Sequence, residues 1–369
     1  MNDTKKTKHI VIACGGTGGH LFPGIAVGRQ LLRRQCEVTL IISEKEVDSQ
    51  AVRDVDDMTV VTLPAVGLSG KNYLAFTSKF LKSFMAARKL FKAKPPQAVL
   101  AMGGFTAVPP VIAGKLSRVP TFLHESNAVP GRSNRMLANL VNRVFVGFDQ
   151  AASQFPRAEV SAFGTPIRPQ FSLRDPAIAR TTLGLDPDRL TLLVMGGSQG
   201  SGPVNELFVQ GLPQLVKLLP DFQFIHLTGA KDGQKVRQAY AAAGVKSTVK
   251  PFLAEMDVAL SAATVAVSRS GASSLAEIAA FRVPTVLIPY PEAIDNHQLV
   301  NAREYEKTGA ARLLEQANAT PEALGQLIQT LAKNQTVRQS LLIALACWYR
   351  PRAAEAIADQ VLTESRAKS

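Results

Sequence analysis

The sequence is poor in cysteine and has no long apolar run. Three cysteines, Cys14, Cys36 and Cys347, are scattered over 369 residues. None of their spacings is that of a metal or redox motif, and an odd number excludes a fully paired disulfide framework, which points to a reducing compartment. No apolar stretch approaches the roughly 20 residues that a membrane-spanning helix needs. The first eight residues are polar and basic, and the apolar run after them is too short for a signal peptide. The five histidines, His9, His20, His124, His226 and His297, lie far apart without ligand spacing, so no metal site is expected.

What is present is the balance of a folded protein, with 46% apolar and 19% charged residues. The length fits two domains of ordinary size. The formal net charge of +13 predicts attraction to something anionic: nucleic acid, acidic lipid or a phosphorylated substrate.

Short apolar runs predict strands at 10–13, 38–42, 98–102, 121–124, 144–146, 191–195, 223–227, 265–268 and 285–288, with helical patterns between most of them. Continuous apolar strands joined by helical crossovers imply parallel sheets covered on both faces. The order repeats once. One strand runs into Cys14-Gly15-Gly16-Thr17-Gly18-Gly19-His20, and a later one runs into Gly196-Gly197-Ser198-Gln199-Gly200. Two Rossmann-like α/β domains in tandem are expected, joined near Gly164-Thr165-Pro166, with ligands at the carboxyl ends of the strands and in the cleft between domains.

The first turn is not the dinucleotide fingerprint, because Leu21 stands where a third glycine belongs, and no Gly-Lys-Ser/Thr makes it a P-loop. It offers backbone N–H groups at a helix N-terminus, suited to an anion or to close approach by a sugar. Read plainly, it is a tight turn without ligand. Met102-Gly103-Gly104-Phe105 and Ser268-Arg269-Ser270-Gly271-Ala272-Ser273-Ser274-Leu275-Ala276-Glu277 follow further strands. Ser274 and Glu277 have the spacing of a capping box, which by spacing alone is the favoured reading. The functional alternative makes Glu277 an acceptor for a ribose diol, with amides near Ala272–Ser274 facing a diphosphate.

The series GGTGGHLFPGIAV, MGGF, LHESN, GTPIR, GGSQGS, SRSGASSLAEIAA and DNHQLVNA, from about residue 10 to 301, resembles the MurG family of bacterial N-acetylglucosaminyltransferases. The resemblance implies a GT-B fold. The acceptor- and membrane-facing domain would be 1–163 with about 348–365, where 348–362 forms a returning C-terminal helix. The UDP-sugar domain would be 165–345. It implies transfer of N-acetylglucosamine from UDP-N-acetylglucosamine to lipid I, giving lipid II for peptidoglycan, without cofactor or metal.

By the same resemblance, Thr17, Gly18 and Gly19 approach the donor sugar and diphosphate, and Asn127 contacts the N-acetylglucosamine. Arg168 and Ser198 help hold the diphosphate, and Leu253 presents backbone to the uracil. Ala272, Ser273 and Ser274 follow the phosphates, Glu277 takes the ribose hydroxyls and Gln298 the sugar hydroxyls. With this added, the ribose reading of Glu277 is preferred, and it is compatible with a cap. The chain departs from the family at Ser126, where Gln is frequent, at Thr165, where Asn is, and at His297, where a first Gln precedes Gln298. Cys14 replaces a small residue and reads as a buried thiol.

Charge developing on the UDP leaving group needs preorganised donors, which amides, a helix N-terminus and Arg168 supply. The acceptor hydroxyl needs a base. Histidine titrates near neutrality, and His20 at the mouth of the first turn is the first choice; read plainly, it braces that turn. Glu125 is the second choice, against a role in orienting the loop around Asn127. A single displacement inverts the anomeric centre.

From Lys71 to Lys94, Phe80, Phe84 and Phe91 recur at helical spacing among Lys71, Lys79, Lys82, Arg88, Lys89, Lys92 and Lys94. This is the composition of an interfacial helix on anionic lipid, and also that of a crossover helix with aromatic core residues. The resemblance tips the expectation toward a peripheral protein on the cytoplasmic face of the plasma membrane. No basic–aromatic nucleic-acid module is present, so no nucleic-acid partner is expected. Three other functions remain: a lipid glycosyltransferase with another acceptor such as diacylglycerol, a UDP-sugar epimerase, and a non-catalytic binding module.

Overall fold

The computed structural model describes residues 7–16, 18–45, 48, 52, 55–64, 73–168, 170–197 and 199–366. The chain divides into two compact units, Met1–Pro169 with Arg350–Ser369, and Gln170–Tyr349.

Among the described residues, the first unit is built on seven strands: β1 (His9–Ala13), β2 (Glu37–Ser43), β3 (Thr59–Leu63), β4 (Ala98–Ala101), β5 (Thr121–Glu125), β6 (Arg143–Val146) and β7 (Val160–Ala162). They pair in the order β3-β2-β1-β4-β5-β6-β7, parallel throughout. Every residue of β1, β4 and β5 is buried, and that two-sided cover accounts for the apolar stretches Ile10–Ala13, Ala98–Ala101 and Phe122–Leu123 within them. Ile10, Ile12, Leu100, Phe122 and Phe145 pack with Leu21, Ile25 and Leu31 of the helix Gly18–Arg33.

The expected returning helix is displaced. The helix Gln335–Trp348 ends at Trp348, and a new one, Ala353–Arg366, starts after Pro351. A proline inside the run clashes with the preceding turn and forbids one continuous helix; Tyr349 is extended (φ −71°, ψ 122°). Ile357, Ala358 and Val361 then join the core of the first unit.

Among the described residues, the second unit has six strands: β8 (Leu190–Met195), β9 (Phe222–Leu227), β10 (Ser247–Lys250), β11 (Val265–Ser268), β12 (Thr285–Leu287) and β13 (Arg312–Leu313). Their order is β10-β9-β8-β11-β12-β13, again all parallel.

The strands that the apolar pattern misses are β3, β7, β10 and β13. All four are sheet edges, and most of their residues are half-buried or exposed. An edge strand lacks the two-sided cover that makes a central parallel strand continuously apolar.

The helix Tyr73–Ala93 packs against the helix Val108–Leu116. Ser83, Ala87 and Phe91 face inward, and Phe80 and Phe84 are half-buried. The aromatic stripe is therefore largely packing. Among the described side chains of this helix, the exposed large apolar residues are Leu81 (53%) and Met85 (62%), set among exposed Lys79, Lys82, Arg88, Lys89 and Lys92. The adjacent helix Val108–Leu116 leaves Leu116 63% exposed. Lys71 and the side chains of Tyr73 and Leu74 lie outside the described residues. Among the described residues, no helix is long and apolar enough to cross a membrane.

Candidate functional site

In an open parallel sheet, ligands bind beyond the carboxyl ends of the strands where strand order reverses. In the first unit this point lies between β1 and β4, flanked by the turn after Ala13 and by Met102-Gly103-Gly104. In the second unit it lies between β8 and β11, flanked by the turn after Met195 and by the segment after Ser268.

His20 sits in the first turn of Gly18–Arg33, half-buried, with its ring over Gly103. A Cβ on Gly103 would stand 2.8 Å from His20 Cε1 and 3.1 Å from Asn134 Nδ2, and its φ of +104° also demands glycine. Asn134 in turn donates from Nδ2 to Glu125 Oε2 at 2.7 Å. Glu125 ends β5 and is 1% exposed. Its Oε1 accepts from the backbone N–H (2.8 Å) and side-chain amide (3.1 Å) of Asn127, and its Oε2 also accepts from Gly131 N–H (3.0 Å). Four donors on one buried carboxylate make a loop brace, the second of the two roles expected for Glu125. The structure thus brings together His20, Glu125 and Asn127, with Gly18 and Gly19 at the helix start. Asn134 was not foreseen; nothing in its local pattern marks it.

His124 points the other way. Its Nε2 lies 3.0 Å from the Gly164 carbonyl, which can only accept, so Nε2 carries the proton and Nδ1 accepts from Ser126 Oγ at 3.2 Å. Burial lowers its pKa to about 4, against the raising effect of the Gly164 bond, so the ring is neutral at pH 7. Ser126, the departure from the family's frequent Gln, is used here. Arg168 is buried, its guanidinium carbon 4.4 Å from the Phe22 ring centroid. Cys14 is fully buried, and burial, then Asp48, pushes its thiol pKa far up, as an inert core thiol requires. Thr17 and Ser198 lie outside the described residues.

In the second unit the helix Ala272–Phe281 starts directly after Gly271, which is extended (φ −64°, ψ 138°) and supplies no side-chain cap. This corrects the capping-box reading. Ser274 and Glu277 lie inside the helix because it begins two residues before Ser274. The N-cap position is a glycine, so this terminus carries no cap of the kind that Thr320 and Asn334 give Pro321–Lys333 and Gln335–Trp348. Glu277 is 8% exposed on this helix.

Gln298 is tied to the segment after β11. Its Oε1 accepts from Ser270 N–H (3.3 Å) and Tyr290 N–H (3.1 Å), and its carbonyl accepts from Ser270 Oγ (2.8 Å). With that oxygen engaged, the amide NH₂ remains to donate to a ligand. His297 Nδ1 donates to the Ile294 carbonyl at 2.7 Å. Asp295 and Asn296 before it both take left-handed backbone, φ 51° and 55°.

Arg269 was not foreseen as a site residue, although it stands in the quoted motif. It is buried and donates to the Ile288 (3.0 Å) and Pro289 (2.8 Å) carbonyls, Ser201 Oγ (2.7 Å) and Gln316 Oε1 (2.6 Å). Burial lowers its pKa to about 10, which leaves it charged at pH 7. The cation joins three loops at the switch point. Ser201, the N-cap residue of Gly202–Leu218, spends its hydroxyl on Arg269 and not on its own helix. Leu253 stands apart on the segment after β10, buried, and its backbone makes no hydrogen bond to a described residue. Asp186-Pro187-Asp188 has Asp-x-Asp spacing, but it precedes the amino end of β8, and Asp186 Oδ1 accepts from Asp188 N–H (3.0 Å) in a surface turn.

Two parallel-sheet α/β units in one chain, each with a glycine-rich turn at its switch point, are the architecture of the GT-B glycosyltransferases. Residues 10–146 match the glycosyltransferase family 28 N-terminal domain, and 191–344 match the family 28 C-terminal domain. The chain is 33% identical over 365 residues to a curated relative from Syntrophus aciditrophicus, covering 98% of this chain and 99% of the relative. That relative is named UDP-N-acetylglucosamine–N-acetylmuramyl-(pentapeptide) pyrophosphoryl-undecaprenol N-acetylglucosamine transferase. The crystal structure of Acinetobacter baumannii MurG superposes with a TM-score of 0.75 at 28% identity, covering 96% of this chain and 99% of that one. This chain belongs to the MurG family within glycosyltransferase family 28. A putative UDP-N-acetylglucosamine 2-epimerase from Listeria monocytogenes reaches a TM-score of 0.72 at 15% identity, covering 98% of this chain and 97% of its own, and shares the fold alone.

Proposed function

We propose that this chain transfers N-acetylglucosamine from UDP-N-acetylglucosamine to the undecaprenyl-diphosphate-linked N-acetylmuramyl-pentapeptide, lipid I, forming lipid II. Near-full-length similarity to relatives named for this reaction supports it. The observation that carries it is the start of Ala272–Phe281 behind an N-cap glycine, with Glu277 on that helix and Gln298 tied beside it. In this reading the amides of Ala272, Ser273 and Ser274 meet the diphosphate, Glu277 the ribose hydroxyls, the Leu253 backbone the uracil and the Gln298 amide the sugar hydroxyls. Arg168 and Ser198 assist at the phosphates, and Thr17, Gly18, Gly19 and Asn127 approach the donor. His20 takes the proton from the acceptor hydroxyl as that oxygen displaces UDP, with inversion. Glu125 holds Asn127 in place, and no metal enters the step.

The domain roles follow: 1–163 with the C-terminal helix takes the acceptor and the membrane, and 165–345 takes the donor. The protein would work peripherally on the cytoplasmic face of the plasma membrane, because the acceptor's polyprenyl chain cannot leave the bilayer. Exposed Leu81 and Met85 among Lys79, Lys82, Arg88 and Lys89 support that face.

The test is incubation with radiolabelled UDP-N-acetylglucosamine and lipid I, followed by lipid extraction. Label in the lipid phase is the expected result. Label entering diacylglycerol instead would move the acceptor, and a free sugar product formed without any lipid would favour an epimerase.

A further inference from the structure

A carboxylate behind the first glycine-rich turn takes no part in the reaction described above. Asp48 is fully buried. Its Oδ2 accepts from Gly16 N–H (2.7 Å), from Ser43 N–H (3.1 Å) and from the Ser43 hydroxyl. Its Oδ1 is buried and has no hydrogen-bond partner among the described residues. Lys45 Nζ donates to the Gly16 carbonyl at 3.0 Å. Gly16, at φ +118°, is therefore gripped at its N–H by a carboxylate and at its C=O by an ammonium from the same stretch of chain.

Burying a carboxylate with one oxygen unbonded is costly, and neutral residues could have filled this space. What the charge gains is a strong, short bond to the amide of a glycine, the residue type with the widest backbone freedom. Gly16 lies just before the helix Gly18–Arg33, and the first turn of that helix carries His20. The same bond engages the Gly16 amide, so that amide is not available to a bound anion.

We propose that Asp48 is a positioning residue: it locks the Gly16 turn, and with it the start of the helix, so that the His20 imidazole stays in one place over Gly103. The proposal rests on the reading of His20 as the base.

The test is a double-mutant cycle on the full-length protein. Asp48→Asn keeps the shape and one acceptor oxygen but removes the charge. Its kcat with lipid I should fall roughly 10- to 100-fold, as a slightly misplaced group does, while UDP affinity changes far less, because most of the proposed nucleotide contacts lie in the second unit. In a His20→Ala background, itself expected to lose about 10²- to 10⁴-fold in kcat, the same change should cost almost nothing more. Multiplicative losses in the double variant, or wild-type kcat in Asp48→Asn, would overturn the proposal and leave His20 as the base. Wild-type kcat in His20→Ala would remove His20 as the base, and the proposal with it. If Asp48→Asn does not fold, Ser43→Ala removes one bond to Oδ2 and keeps the charge; it should show a smaller loss that falls mainly on kcat, and a change confined to KM refutes the idea.

Discussion

Glu125 grips Asn127 twice through one oxygen, taking its backbone N–H at 2.8 Å and its side-chain amide at 3.1 Å. The other oxygen takes Gly131 N–H and the Asn134 amide, so one buried carboxylate fixes the loop from β5 to the helix Arg132–Ala138. The loop's conformation is thereby set before any ligand arrives.

Glu125→Gln tests that brace. The glutamine oxygen can replace one carboxylate oxygen, but its NH₂ then faces donors that need an acceptor. Leaving buried donors unsatisfied costs about 1–3 kcal/mol, so the melting temperature should drop by several degrees. Activity should fall while the kcat–pH profile keeps its acidic limb. An unchanged melting temperature with that limb gone would make Glu125 the base.

Glu277→Gln tests the ribose contact. Hydrogen bonds to a charged group contribute roughly 1.5–3 kcal/mol, so the donor KM should rise on the order of tenfold or more. Because Gly271 begins that helix without a side-chain cap, circular dichroism should stay unchanged. UDP should raise the melting temperature of the wild type more than ADP or GDP does. Equal protection by all three would end the uracil assignment.

Membrane docking separates into charge and apolar parts. The protein should co-sediment with vesicles containing phosphatidylglycerol at low salt and be largely released toward 1 M salt, where screening is strong. Reversing Lys79, Lys82 and Lys89 to Glu should weaken that binding. Leu81→Ser with Met85→Ser should remove the part that salt does not release, since among the described side chains of their helix these are the exposed large apolar ones. Equal binding to neutral and anionic vesicles would refute the electrostatic part.

Acid should destabilise the fold through two buried histidines. Burial holds His124 near pKa about 4 and His226 near about 3, against 6.5 for an unperturbed ring. His226 Nδ1 is 3.1 Å from Tyr240 OH, and Nε2 is 3.0 Å from Asn205 Oδ1. Both rings are neutral when folded and protonate on unfolding below 6.5. Their contribution is therefore complete above that pH and is lost as pH falls toward the folded values, at up to about 1.4 kcal/mol per unit for each. Urea unfolding of the wild type should show this slope between pH 6.5 and 4, and His226→Gln should flatten it. An equal slope in that variant would exclude His226 as a source.

Much of this protein is legible along the chain. The central strands and the glycine-rich turns after them are local patterns: a strand covered on both faces is mostly apolar, and a turn at a φ near +100°, as at Gly16 and Gly103, favours glycine. The ordered series of those turns was enough to place the chain in its family. The four edge strands were not legible, because half-exposed residues carry no apolar signature. The spacing of Ser274 and Glu277 misled, because a capping box is only a spacing until the residue that begins the helix is known, and that residue is Gly271.

The sequence by itself determined the two α/β units, the order of the glycine-rich turns and most of the candidate site residues. The tertiary structure alone decided how those residues are used. Asp48 meets Gly16 across 32 positions, Arg269 meets Ser201 across 68, and His124 meets Gly164 across 40. It also decided that Leu81 and Met85, not Phe80 and Phe84, stand most open to solvent. The physical reason is that periodicity reports which residues are apolar, whereas hydrogen-bond partners and exposed faces are fixed only when distant segments pack together.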